Sequence, residues 1–192
     1  MEFDSKLMNS AIVINGVAAA EALSAISLNG SLLGDEAAIT ALTAGMIMGL
    51  GKIHNKNNSL NKILGWLVPN VGLFLGSRVA AMTVKWLPFV GGAANATISF
   101  TTTQVIGWTV YLIYKDNKDL DEVGSKELHV YKRRAQNMSK PDVEQWFKKM
   151  PKDKVTEYKS MVEKLGQDGL SEEEQDELLH KMQDLVAPYA AT

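Results

Sequence analysis

The sequence predicts an all-α protein: glycine- and alanine-rich helical hairpins, four N-terminal helices in all, followed by a charged amphipathic helical C-terminal region. Three observations lead there. Small residues recur at every fourth position through the N-terminal part, the spacing that stacks side chains on one helix face. Apolar stripes at i, i+3, i+4 and i+7 recur through the C-terminal part. Charge is divided abruptly at Tyr114–Lys115: residues 1–114 hold 11 Asp, Glu, Lys and Arg, whereas residues 115–192 hold 31. An ordinary soluble domain is about 25% charged, and the two parts fall far on either side of that value. The chain therefore divides into an apolar helical region at 1–114, expected to associate with a membrane, and a charged docking region at 115–192.

Asp4 or Ser5 can cap a first helix that runs to about Leu28, rich in alanine and interrupted by Gly16. "NGSLLGD" (29–35) is turn chemistry, and Asp35 is a good N-cap for a second helix over 36–53. "HNKNNS" (54–59) reads as a polar loop, after which a third helix is expected from Leu60 to Val84, bent at Pro69. "KWLPFVGG" (85–92) turns the chain into a fourth helix over 93–114. The β-branched "TISFTTTQVIGWTV" also has strand character, but its length, Gly107 and its lack of strict alternation favour helix.

Past residue 115 the helices are short. Ser139 and Pro141 mark a start, and Val143, Trp146, Phe147 and Met150 share one face before Pro151 ends it. Helix 152–165 aligns Val155, Tyr158, Val162 and Leu165, closed by Gly166. Ser171 and Glu174 form a capping box at the head of the last helix, in which Leu178, Met182 and Leu185 line one face. Trp146, Phe147, Tyr158, Leu178, Met182 and Leu185 make up a stripe expected to dock on a partner. "YKRR" (131–134) reads as a solvated helix face, with contact to anionic lipid as the alternative.

The net charge of −2 gives no general reason to expect nucleic acid. Cysteine is absent, which excludes disulfides and thiolate metal sites and fits a reducing compartment. "MEFDSKLMNS" lacks the basic segment of a secretory signal, so a cytoplasm-facing start is expected. The histidines at 54, 129 and 180 are scattered, and Glu177 with His180 forms a single Glu-x-x-His pair where a di-iron bundle needs two. No nucleophile signature is present. "MIMGLGKI" ends in Gly-Lys but has Met46 where a phosphate loop needs glycine and Ile53 where it needs Ser or Thr. The sequence thus predicts neither an enzyme nor a metal or cofactor site.

From Trp86 to Tyr114 the chain carries no charge over 29 residues, yet it includes Asn95, Ser99, Gln104 and five threonines. Three small-residue ridges account for this mixture: Ala37, Ala41, Gly45 and Gly49; Gly72, Gly76 and Ala80; Gly91, Asn95, Ser99, Thr103 and Gly107. Each lets another backbone approach, and the hydroxyls can bond across the contact. Such ridges associate helices in lipid, and they also pack helices in soluble bundles. Residues 93–114 would span about 33 Å as a helix, against a hydrocarbon core of about 30 Å. Arg78 opposes insertion of the third helix. Trp86 and Phe89 suit a headgroup-level anchor, and Lys52, Lys56, Lys62, Lys115 and Lys118 would place both ends of the 60–114 hairpin on the cytoplasmic side.

"ITALTAGMIMGLGKIHN" (39–55) and "KWLPFVGGAANATISFTTTQVIGWTVYLIYK" (85–115), with the glycine-rich helix between them, resemble the YcjF-like group. That group is a widespread bacterial domain of unknown function, often fused to or encoded beside GTPases. The resemblance rests on Pro88 to Gly91, Thr97 to Thr103 and Gly107-Trp108, and covers about residues 35–115. It implies membrane association on the cytoplasmic side, with a GTPase as partner, and brings no catalytic residues.

Three functions are consistent with these features. The leading one is a membrane-associated, oligomeric anchor or scaffold at the cytoplasmic face of a bacterial inner membrane, with membrane lipid as partner and a cytoplasmic docking tail. The second is a cytoplasmic bundle that shelters an insertable pore-forming hairpin. The third is a soluble self-assembling adaptor in which the ridges are intersubunit contacts.

Overall fold

The computed structural model describes residues 5–27, 36–75, 94–138, 140–141, 143–165 and 170–190. Its elements are α1 (Ser5–Ser27), α2 (Glu36–Ile53), α3 (Leu60–Leu75), α4 (Ala94–Lys115), a 3-10 turn (Leu120–Glu122), α5 (Ser125–Asn137), α6 (Val143–Lys149), α7 (Lys152–Leu165) and α8 (Glu172–Ala190). The protein is all-α, with no strand among the described residues; "TISFTTTQVIGWTV" is helical. The third helix is described as far as Leu75, and the rest of its expected length, with Arg78, lies outside the described residues. Sequence reading assigned no separate element to α5.

α1 is the axis of the bundle. Every residue from Ser10 to Ala22 is buried, because Ala, Val and Ile occupy all sides of this helix and leave no polar face to offer water. α2, α4, α7 and α8 surround it, and the pairing with α4 is the most extensive. α1 and α4 run antiparallel: Glu21 meets Thr103, while Ile14, seven residues earlier, meets Gly107. Gly16 lies in contact with Met182 of α8 and close to Tyr158 of α7.

The compositional boundary at Tyr114–Lys115 is a change in outer surface and not in packing. α7 and α8 close over α1 and share one hydrophobic core with it. Their charges sit on the opposite faces, as at Glu173, Glu177, Lys181 and Asp184 of α8. Among the described residues, helices from 1–114 and from 115–192 thus contribute to the same core.

Local chemistry explains where helices stop. α2 and α4 both end with an asparagine in the left-handed region, Asn55 at φ 57° and Asn117 at φ 59°. In each case the following lysine N–H reaches back five residues and the asparagine N–H three. Lys56 donates to Gly51 O at 2.7 Å and Asn55 to Lys52 O at 3.2 Å; Lys118 donates to Ile113 O at 3.1 Å and Asn117 to Tyr114 O at 2.9 Å. This is the Schellman pattern, and asparagine tolerates it better than other side chains. Lys56 Nζ then donates to Asn117 O at 2.9 Å, tying the two helix ends together.

α8 starts with the capping box expected for it. Ser171 N–H donates to Glu174 Oε2 at 2.8 Å, and Glu174 N–H donates to Ser171 Oγ at 3.2 Å. Ser171→Ala is expected to cost about 1 kcal/mol in urea unfolding. A loss below about 0.3 kcal/mol would show that packing on α1, and not the cap, holds this end.

α3 is the least embedded of the first four helices. It buries Ile63, Trp66, Leu67 and Phe74 and leaves Gly65, Val68, Pro69, Val71 and Gly72 exposed. Nothing approaches within 4 Å of a Cβ built at Gly65 or Gly72. Gly72→Ala should therefore stabilise the protein by about 0.5–1 kcal/mol through helix propensity alone, readable as a raised urea midpoint.

Candidate functional site

The described core contains an unusual feature, a polar seam along the contact of α1 with α4 and α2. Asn15 Nδ2 donates to Ala11 O at 2.7 Å, and Asn15 Oδ1 accepts from Gln104 Nε2 at 2.6 Å. Gln104 Oε1 in turn accepts from Trp108 Nε1 at 2.8 Å. Each group here has a partner, so burial incurs little net cost. One helical turn and a half further along α1, the Glu21 carboxyl is fully buried. Thr43 of α2 donates to Glu21 Oε1 at 2.6 Å, and Thr103 of α4 donates to Oε2.

Loss of water dominates the chemistry of Glu21. Burial raises its carboxyl to about 7, and the two threonine hydroxyls only partly offset this. A carboxyl in this state can take up or release a proton near neutrality, which no solvent-exposed Glu does.

At the other end of the seam, Ser10 Oγ lies 3.4 Å from His54 Nε2, and the His54 ring packs edge-on against Tyr111 at 5.3 Å. Asn58 Nδ2 donates to the Tyr114 hydroxyl at 2.8 Å, and burial holds that phenol above its usual range. Ser10 is sealed from solvent, so this serine–histidine pair has no approach for a substrate and reads as core packing.

The predicted packing residues divide. Gly107 is a point of close approach: a Cβ there would sit 2.7 Å from Ile14 Cγ1 and 3.0 Å from Met46 Sδ. A Cβ at Gly45 would sit 2.6 Å from Gln175 Oε1, and one at Gly49 would sit 3.5 Å from Val13 and 3.7 Å from Leu179. These contacts are intramolecular. Thr103 bonds to Glu21, and the Ser99 hydroxyl is buried one turn earlier. Ala41 is exposed and, with Gly45, Met48, Leu60 and Leu179, lines a shallow cavity of about 160 Å³ between α2 and α8. Gly72 faces open space and packs against nothing, because α3 turns its other side to the core. Gly76, Ala80 and Gly91 lie outside the described residues, as do the side chains of Ala37 and Asn95.

The membrane-interface candidates fare differently. Trp86 and Phe89 lie outside the described residues. Lys52 pairs with Asp176, and Lys118 with Glu127. Lys56 lies 3.2 Å from Asp119, and Lys62 lies 3.1 Å from Asp121. Acids of the C-terminal part thus neutralise four of the five lysines, and the expected basic rim is not a bare positive patch. Lys115 sits 5.7 Å over the Tyr111 ring. In "YKRR", Tyr131 and Arg134 both bind Asp116, at 3.0 and 2.7 Å, and Lys132 donates to Leu73 O at 2.6 Å, so this segment fastens α5 to α4 and α3.

The docking stripe is likewise occupied within the chain. Trp146, Tyr158 and Met182 are buried, with Tyr158 and Met182 against Gly16 of α1. Phe147 packs on Tyr158 at 4.8 Å, and Leu178 and Leu185 pack partly buried on the same core. Of the stripe expected to meet another protein, Tyr158 and Met182 meet α1.

Comparison of the chain with protein-family models, with curated proteins and with solved structures finds no match. None of the described helices is long and apolar enough to cross a membrane.

Sequence reading passed over Ser10, Asn15 and Glu21. A signal was nevertheless present: Glu21 is the only charged residue between Lys6 and Asp35, and Asn15 is amid Ile and Gly in a run of Ala and Val. A lone acid in an otherwise apolar helix has to find a buried partner or remain protonated.

Proposed function

We propose that this protein is a helical bundle that shelters apolar helices and associates with the cytoplasmic face of a bacterial inner membrane when α7 and α8 move off α1. The enclosure of α1 from Ser10 to Ala22 carries this reading. A helix that is apolar on every side needs either a protein core or lipid around it, and here two amphipathic, outwardly charged helices provide part of the enclosure. The uncharged stretch of α4 shares the same shelter from Thr103 to Tyr114. None of the described helices is long and apolar enough to cross a membrane, so the association proposed is contact with the lipid surface without spanning. The resemblance of residues 35–115 to the YcjF-like group supports the same setting, with a GTPase as candidate protein partner.

The test is co-flotation of the full chain with vesicles of phosphatidylcholine and phosphatidylglycerol, at pH 5 to 8, with dye release read in parallel. Binding that rises as α8 loosens supports the reading. Protein that stays wholly in the lipid-free fraction at every pH removes it.

A self-assembling adaptor is the second reading, favoured by the exposed, uncharged face of α3, where Val68 is 60% and Val71 38% exposed. It requires a sedimenting oligomer that Val68→Lys dissociates. The ridges at Gly45, Gly49 and Gly107 would have no part in such an assembly, since they are used within the chain.

A further inference from the structure

Glu21 belongs to the core, and among the described residues no cation answers it. Three helices meet at its carboxyl: α1, which carries it, α2 through Thr43 and α4 through Thr103. α4 has no ionisable side chain from Ala94 to Val110, and its first ones, Tyr111 and Tyr114, lie at the His54 end of the seam. The lysine of α2 is Lys52, nine residues beyond Thr43 and paired with Asp176 of α8. α7 and α8 reach α1 at Gly16 with Tyr158 and Met182, and burial keeps the Tyr158 phenol protonated. Among the described residues no charged group faces Glu21, and both its contacts are neutral hydroxyls.

Two hydroxyls can hold a carboxyl in place, but they cannot balance a full negative charge taken out of water. We propose that Glu21 is a proton-operated latch on the junction of α1, α2 and α4: protonated, it donates to one threonine hydroxyl, accepts from the other and locks the three helices together, and ionised, it loosens α1. The idea rests on the proposed sheltering role only for its consequence at a membrane; the latch itself is a property of the bundle in water.

The sign follows from linkage. The carboxyl is held at about 7 when closed and returns toward the ordinary 4.5 when α1 opens to water. The closed junction is therefore fully favoured below about pH 4.5 and progressively less favoured as pH rises to about 7. Opening gains tenfold per pH unit across that window, about 300-fold in all, and levels off above it. Acid tightens this bundle, and neutrality releases it.

Hydrogen exchange of the α1 amides in the full-length protein, corrected for the intrinsic pH dependence of exchange and recorded from pH 5 to 8 without lipid, tests this. The wild-type opening constant should climb about tenfold per unit between pH 5 and 7 and then flatten, while Glu21→Gln stays level throughout. A level wild-type profile, or a Glu21→Gln profile that climbs like the wild type, overturns the latch. Should Glu21→Gln fail to fold, direct carbon NMR titration of the wild-type Glu21 carboxyl decides: a midpoint near neutrality supports the latch, and one in the ordinary carboxylate range overturns it. Vesicles of phosphatidylcholine and phosphatidylglycerol added to the same series separate the two proposals. A pH-dependent α1 without lipid binding refutes the membrane role and keeps the latch; lipid binding with a pH-independent α1 does the reverse.

Discussion

Trp108→Ala is expected to lower the stability of the protein by about 3–5 kcal/mol, the largest single-residue loss in the core. Trp108 is among the largest fully buried side chains, at 1% exposure, and lies edge-on to Tyr111 with ring centres 5.5 Å apart. Its removal leaves a cavity at the α1–α4 contact and deprives Gln104 Oε1 of its donor. The unsatisfied acceptor adds to the cavity cost, which is why the upper part of the range applies. Urea unfolding followed by far-ultraviolet circular dichroism measures it. Trp108→Phe, which keeps most of the volume but not the N–H, should lose less. A loss below about 1 kcal/mol for the alanine variant would mean that the seam is not the closely packed core described above.

Gly107→Leu comes second, at about 3 kcal/mol, the upper end for overpacking. The added Cβ would sit 2.7 and 2.9 Å from the two γ-carbons of Ile14 and 3.0 Å from Met46 Sδ. Ile14 is β-branched and fully buried, so it cannot swing clear; α1 and α4 would have to separate. Shortening the obstacle should restore part of the loss. Ile14→Ala combined with Gly107→Leu is expected to be less damaging than the sum of the two single changes, by about 1 kcal/mol or more. Additive losses would place the clash elsewhere. The same substitution at Gly72 meets open space and should cost little, although both glycines are helical.

That contrast shows how far the candidate site was legible. Gly72 and Gly107 each belong to a ridge of small residues at four-residue spacing, and that spacing does not distinguish them. Only the arrival of Ile14 from α1 makes one indispensable and leaves the other free. The lysines are similar. Lys52, Lys56, Lys62 and Lys118 look like a basic rim in the sequence because their acids, Asp176, Asp119, Asp121 and Glu127, lie up to 124 positions away or on another element. Tyr158 and Met182, expected in a stripe that docks on a partner, lie against Gly16 of α1 in the same chain.

By itself the sequence determined that the chain is helical, both ends of α2 and α7 and the start of α8 nearly to the residue, and the faces of the C-terminal helices that seek burial. These follow from interactions reaching only three or four residues, such as caps, propensities and the 3.6-residue period, so a short window of letters contains them. The tertiary structure alone decided that charged and apolar parts form one core, that α1 is its axis, and that the Glu21 carboxyl lies buried against the hydroxyls of Thr43 and Thr103. Burial and electrostatic environment depend on which distant helix arrives at a given face, and a packed core settles that by the fit of all its members at once.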